Sequence, residues 1–461
     1  MNLDFDLYRK NTPLMKDKWL ESLKKSFYSQ YAPMWNVIIG DRITEDDYRF
    51  VKKFEQDLYE NRSPSSSEPN DRILKYIRGL RFHSIFYYDR LNKISLPSDF
   101  QEIRPMTRDD LQNRITEILP IVSNLDRMVV NPTSGTTGIP ILAPNHPKTI
   151  GCYVPLIEYS LARHGVKTIH HYNETTAIQL CNQHKTIVYI TPHSLAEGAK
   201  FAKINLTKSD WKSQDHINQF IKDEEPIFLS GDPYSFEGAL EMNLQYQPKA
   251  IHSTALDLSE TLRIKLKEHF QCPVINFYSL NETGPIAYSC PNHPEQMHLI
   301  SNDIYIEIID ETGKPASLGE IVVTGGRNPY LPLLRYRTGD WGELDHSPCD
   351  CGEVSARLKL LKGRKPIFFT DTQGNKVNPV DISRILRMDS NILNHSFVQK
   401  KNGSYEIKVR WYNVPGKENT EELVSKFNLL FGNDAKITLM ELPISNGKKH
   451  KMFINENLNE I

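Results

Sequence analysis

SGTTGIP, residues 134–140, places two glycines, three hydroxyl side chains and a proline between the apolar runs Met128-Val129-Val130 and Ile141-Leu142-Ala143. Glycine lets backbone amides approach a ligand closely, and Ser and Thr hydroxyls add donors. Together they suit an anion with many oxygens, such as the phosphates of a nucleotide. The order is not that of a Walker loop, which needs G-x-x-x-x-G-K-[ST]; taken alone, an ordinary hairpin of turn formers fits these residues as well. INFYSLNETGP (275–285) runs from an apolar strand into a polar loop. Tyr278 offers a ring to stack on a base, and Glu282 is a hard oxygen ligand suited to Mg2+; the alternative is a surface turn with an exposed glutamate. In LPLLRYRTGDWGEL (331–344), Asp340 follows a Thr-Gly turn at the end of an apolar run. A carboxylate there can accept both hydroxyls of a ribose, although Asp is also a common residue of tight turns. In PISNGKKHKM (443–452), Gly447 frees the turn that presents Lys448; by itself such a basic run is a solvated surface.

A second kind of chemistry comes from cysteine and histidine. Cys290-Pro-Asn-His293 and Cys349-Asp-Cys351 supply three sulfurs and one imidazole from turn-rich stretches. Tetrahedral Zn2+ favours such sets in structural sites, where a closed shell staples loops and does no chemistry. The spacing leaves His298 as an alternative to His293, and free thiols as an alternative to a metal. Cys152, Cys181 and Cys272 read as core residues. His252 and the pair His170-His171 show no ligand spacing and read as surface or pocket-lining.

These residues need a scaffold. The chain has 461 residues, more than one core organises, so at least two domains are expected. Lys plus Arg number 56 against 57 Asp plus Glu, so the basic excess of a nucleic-acid partner is missing. No apolar run is long enough for a membrane span, and the early acids of MNLDFDLYRKN do not suit a signal peptide. A cytoplasmic protein with reduced thiols is expected. Met15, Trp19, Leu23 and Phe27 recur at four-residue steps and predict an amphipathic helix within 13–29. NRSPSSSEPN (61–70) predicts a surface loop. Thr107 before Asp109 and Asp110 predicts a capped helix over 107–119. The middle alternates helical and strand-like stretches, which predicts α/β layers. IYIEIID (304–310) and EIVVTG (320–325) read as strands. Beyond Gly363, YEIKVRWY (405–412) and AKITLMEL (435–442) read as strands flanking a helical ELVSKFNLLF. The expected architecture is α/β: a large N-terminal domain of mixed β-sheets layered with helices (1–362), and a small C-terminal α+β domain (363–461) joined by a hinge.

In this order, SGTTGIP, YSLNETGP, YRTGD, KGR and NGK resemble the adenylate-forming superfamily of acyl-CoA synthetases, peptide-synthetase adenylation domains and luciferases. LPLLRYRTGD followed by CDCG and KGR is most similar to the phenylacetate–CoA ligase branch. The likeness spans about residues 95–452. It implies that a carboxylic acid, aromatic by analogy with that branch, joins the α-phosphate of ATP with release of pyrophosphate, and that the acyl group passes to coenzyme A. It further implies that Ser134, Gly135, Thr136, Thr137 and Gly138 line the pyrophosphate loop and that Tyr278 packs on adenine. Asn281 stands near the α-phosphate where the family usually has Thr or Ser. Glu282 holds Mg2+, and Asp340 binds the ribose with help from Arg364. Lys448 is the catalytic lysine bridging carboxylate and α-phosphate. A cation about 4 Å from an anionic oxygen gains roughly 4 kcal/mol at an effective dielectric near 20.

Two departures bear on the second half of that reaction. The family's hinge position after Gly-Arg is usually Asp or Lys and is Pro366 here, and proline fixes φ. The Arg-Gly that normally follows is replaced by Gly374-Asn375. Transfer to a carrier protein or an amine is therefore the alternative to coenzyme A. The segment expected to carry acid specificity, around 165–205, does not match well. Either a monomer or a homodimer is compatible with the sequence.

Overall fold

The computed structural model describes residues 5–60, 68–121, 124–132, 141–183, 186–300, 303–364, 369–377, 382, 385–386, 389–443 and 453–457. Its largest element is a twelve-stranded sheet made of two halves. In the first half, Lys200–Asn205, Thr175–Cys181, Phe228–Gly231, Ala250–Ser253 and Val274–Leu280 lie side by side and parallel. Tyr189–Pro192 closes that edge in the antiparallel sense. Val274–Leu280 then turns into an antiparallel partner, Gly284–Ser289. From there the second half continues antiparallel through Met297–Leu299, Arg357–Arg364, Leu333–Asp345 and Leu318–Gly325 to Ile304–Ile309. Val274–Leu280 is thus the seam between the halves.

Parallel strands must be covered on both faces, and their sequences accordingly lack polar alternation; all four residues of Ala250–Ser253 are buried. Helices Asp17–Phe27, Asp215–Glu224, Pro233–Glu241 and Glu260–Phe270 cover one face with Leu23, Phe220, Phe236 and Leu266. Helices Glu45–Glu60 and Tyr153–Arg163 cover the other with Val51 and Leu156. Helices Asp71–Leu80 and Ile85–Leu91 pack Ile77 and Tyr87 on the antiparallel half. The result is the α/β layering that the pattern predicts.

The expected helix within 13–29 is Asp17–Phe27, with Trp19, Leu23 and Phe27 buried and Met15 packed partly buried just ahead of it. The stretch 107–119 forms two short helices, Arg108–Asn113 and Ile115–Ile118, because Arg114 leaves helical geometry at φ −126. The Thr107 hydroxyl accepts from the Asp110 amide at 3.3 Å, and the Asp110 carboxylate accepts from the Thr107 amide at 2.9 Å. This reciprocal cap is worth about 1 kcal/mol. Most of the predicted 61–70 loop lies outside the described residues.

A separate four-stranded sheet follows, in the order Ile437–Glu441, Tyr405–Trp411, Ile392–Gln399, Phe453–Asn455. Helix Lys417–Phe431 lays Leu423, Phe427 and Phe431 over it, and Phe397 stacks on Phe427 and Phe431 at 5.7 and 5.2 Å. This α+β unit has its own apolar core.

Candidate active site and metal centre

The seam strand carries the first group of chemistry-bearing residues. Tyr278 lies near its end, and a tight turn at 281–283 leads into Gly284–Ser289. Gly284 takes φ +71, and any side chain there would overlap the Tyr153 ring, so the turn needs glycine for both conformation and space. Asn281 is exposed on the turn, whereas Glu282 is buried at 7% exposure. Burial pushes the Glu282 carboxyl above its usual range, and the hydroxyl of Tyr336, donating to Glu282 Oε1 at 3.2 Å, pulls the other way.

The second group arrives from Leu333–Asp345. Tyr278 donates its hydroxyl to Asp340 Oδ2 at 2.9 Å, joining two motifs 62 residues apart. The Asp340 turn is tied down locally. The Asp340 amide donates to Thr338 Oγ1 at 3.0 Å, and the amide of Gly339, at φ +80, donates to Glu320 Oε1 at 2.9 Å. Arg364 stands directly opposite Asp340 in the neighbouring strand. The antiparallel ladder therefore puts the sequence-distant pair Asp340 and Arg364 side by side. The ring of Tyr278 is itself mostly covered, at 7% exposure.

Residues 134–138, Pro366 and Lys448 lie outside the described residues. The strands flanking the 134–138 loop are described: Val129–Pro132 pairs antiparallel with Leu142–Asn145, so the loop joins two hydrogen-bonded strands. Gly374-Asn375 sits in a turn where Asp371 Oδ1 accepts from the Gln373 and Asn375 amides at 2.9 and 2.7 Å.

Two residues escaped the sequence reading. Tyr336 holds Glu282 but looks in sequence like one more strand aromatic. Arg335, at φ +47 and 1% exposed, binds Glu307 at 2.9 Å and the carbonyls of Gln101 and Ile103 at 2.7 and 2.9 Å. This buried ion pair and its carbonyl partners anchor the strand that presents Tyr336 and Asp340.

Cys290, His298, Cys349 and Cys351 converge, with all four ligand atoms within 4.8 Å of one another. The sulfurs of Cys290 and Cys349 are 3.7 Å apart, and Cys351 Sγ is 3.2 Å from His298 Nε2. Two thiolates on one tetrahedral zinc, each about 2.3 Å from the ion, stand roughly 3.8 Å apart, so the donor set fits that ion. The imidazole is His298. It lies on Met297–Leu299, fully buried, and its Nδ1 faces the Ser355 carbonyl at 3.2 Å. A backbone carbonyl at Nδ1 leaves Nε2 for a metal. His293 instead meets the Asp350 carboxylate at 3.0 Å, outside the four-donor set. Behind the cluster, buried Glu353 Oε2 accepts from Tyr159 at 2.6 Å and Tyr288 at 3.0 Å, while Arg163 donates to the Cys351 carbonyl at 3.1 Å.

The other sulfurs are core residues: burial raises the Cys152, Cys181 and Cys272 thiols to about 12, 11 and 12. His252 differs from its expected surface or pocket placement. It is 6% exposed, with Nδ1 2.8 Å from Ser230 Oγ, and its ring packs edge-on to Phe277 at 4.3 Å. The strand pattern AIHS, buried on both faces, explains this. His170 pairs with Glu158 at 2.6 Å.

No protein-family model matches the chain. Protein CapK of Staphylococcus aureus is 20% identical over 454 residues, covering 91% of this chain and 94% of that protein. A phenylacetate–coenzyme A ligase of Thermus thermophilus is 22% identical over 316 residues, covering 64% and 68%. A crystal structure of 2-hydroxyisobutyryl-CoA ligase in the postadenylation state superposes with a TM-score of 0.64 at 16% identity, covering 84% of this chain and 88% of that one. The chain thus shares the fold of that CoA ligase. The Thermus thermophilus relative and this solved structure are both CoA ligases by name.

Proposed function

We propose that the protein is an AMP-forming acid–CoA ligase. It would join a carboxylic acid to ATP as an acyl-adenylate, release pyrophosphate, and pass the acyl group to coenzyme A. The observation that carries this reading is the Tyr278–Asp340 hydrogen bond at the sheet seam, with Glu282 buried beside it on Tyr336. Two motifs far apart in sequence meet at one strand end, where open α/β sheets bind ligands. Hydroxide does not leave a carboxylate readily, whereas AMP does, and the residues' roles follow from that need. Asp340 would bind the ribose, because a carboxylate offers several acceptor sites to neighbouring hydroxyls. Glu282, a buried carboxylate whose donor is a neutral phenol, fits a divalent cation, which would favour its ionised form; it would hold Mg2+, which supplies charge neutralisation for the phosphates. Tyr278 would border the adenine, Asn281 would donate near the α-phosphate, and Arg364 would assist Asp340. The loop of Ser134, Gly135, Thr136, Thr137 and Gly138 would cradle pyrophosphate. Lys448 would bring its ammonium between carboxylate and α-phosphate, where charge builds in the transition state.

In the same reading, residues 363–461 move as one unit on the large domain, and Cys290, His298, Cys349 and Cys351 hold a structural zinc. The protein works in the cytoplasm. The acid is aromatic by analogy with the phenylacetate–CoA ligase relative. Transfer to a carrier protein or an amine is the second reading, favoured by Pro366 and by the cation-free turn at Gly374-Asn375. Pyrophosphate release over a panel of aromatic and aliphatic acids, with and without coenzyme A, tests both. Release with acid alone, and thioester only with coenzyme A, is the expected result. Acid-dependent release that coenzyme A never converts to thioester would select the second reading, and no release with any acid would remove both.

A further inference from the structure

The C-terminal sheet rests on the large domain through a small polar seam. The Ser259 hydroxyl donates to the Leu393 carbonyl at 2.8 Å, Leu393 enters the core beneath helix Glu260–Phe270, and Lys265 lies over the Tyr412 ring at 4.3 Å. At its centre Arg410, 8% exposed on strand Tyr405–Trp411, reaches helix Pro233–Glu241. Its Nη2 donates to Glu241 Oε1 at 2.7 Å, and its Nε lies 3.4 Å from Glu237 Oε2. Glu241 is half exposed, but Glu237 is only 2% exposed, and neither of its oxygens has a hydrogen-bond partner among the described residues.

One cation thus faces two carboxylates, and its good hydrogen bond goes to the solvated one. A buried carboxylate with no donor is costly in its ionised form. The other charged or titratable groups around it do not relieve this. Asp232, on the same helix, is the helix cap, its carboxylate accepting the Ser235 amide at 2.8 Å. Asp257, ahead of helix Glu260–Phe270, adds negative charge. His395, on strand Ile392–Gln399, lines the same narrow space. The cheap resolution is a proton on Glu237.

We infer that docking of the C-terminal sheet onto helix Pro233–Glu241 takes up a proton at Glu237, so that this buried carboxyl is a latch by which docking tightens in acid and loosens in base. Burial, opposed by Arg410, raises the Glu237 carboxyl from 4.5 to about 7. Once undocked, the carboxyl returns to water and to its ordinary value. The sign follows: a group whose affinity for protons is higher in the docked state favours docking below both values and loses that contribution as pH rises from the undocked value to the docked one. Between pH 6 and pH 8 the docking constant falls about tenfold. This goes beyond the acid-activation reading and does not depend on it.

The test replaces Tyr412 with a benzophenone amino acid in the full chain and reads light-induced cross-linking to the 257–265 segment by peptide mass spectrometry, with no ligand present. The expected result is a ratio of cross-linked to free protein about tenfold higher at pH 6 than at pH 8, and nearly flat in Glu237→Gln. Arg410→Ala, which removes a cation that lowers the Glu237 value, should move the transition to higher pH; this variant carries the test if Glu237→Gln does not fold. Equal yields at the two pH values in the parent protein, an unchanged pH response in Glu237→Gln, or an unmoved transition in Arg410→Ala would each overturn the latch.

Discussion

Burial governs how the Glu282 carboxylate titrates, and Tyr336 is a side chain that opposes it, which makes the contact measurable. Burial raises the Glu282 value, and the Tyr336 hydroxyl stabilises the ionised form that a divalent cation needs. The acid limb of the pyrophosphate-release profile should therefore lie above the ordinary glutamate range. Tyr336→Phe removes one donor, worth about 1 kcal/mol, and should move that limb up by roughly 0.7 pH unit. A pH–rate profile of the variant that overlays the parent's would show that Glu282 does not depend on Tyr336. The sequence shows Glu282 and Asp340 as candidates because their motifs carry turn chemistry around a carboxylate. It does not show Tyr336, since an aromatic within an apolar run looks the same whether it packs or donates, nor the Tyr278–Asp340 bond, which spans 62 residues.

At the scale of elements, the long antiparallel strands make the site by register. Leu333–Asp345 against Arg357–Arg364 brings Asp340 opposite Arg364, and the same strand, anchored by Arg335, turns Tyr336 toward Glu282. Strand placement also decides which histidine joins the cysteine cluster. Spacing alone left His293 and His298 open; the short strand Met297–Leu299 points His298 into the cluster, while His293 lies on a partly exposed turn beside Asp350. A histidine inside a strand resembles a core residue in sequence, and so the choice was not legible there. The purified protein should carry zinc, measured by elemental analysis. Cys349→Ser and His298→Ala should lose it and melt several degrees lower, while His293→Ala keeps it. Retention by His298→Ala with loss from His293→Ala would reverse the ligand assignment.

For the whole molecule, the sequence changes texture after Gly363, and the strands and helix beyond it pack around Phe397, Phe427 and Phe431. How that unit touches the rest is not legible: Arg410 lies 169 residues from Glu241, and it looks like ordinary surface charge in sequence, as do Glu237 and Glu241. In the proposed reaction, one C-terminal ammonium, that of Lys448, makes the meeting of acid and triphosphate productive. Pyrophosphate–ATP exchange by the parent protein and by Lys448→Ala, alongside ATP binding by calorimetry, tests it most directly. Exchange should fall by at least about a hundredfold, the span of one transition-state hydrogen-bonding group, while ATP affinity stays within a few-fold. Undiminished exchange in Lys448→Ala, or loss of ATP binding in step with exchange, would contradict the account.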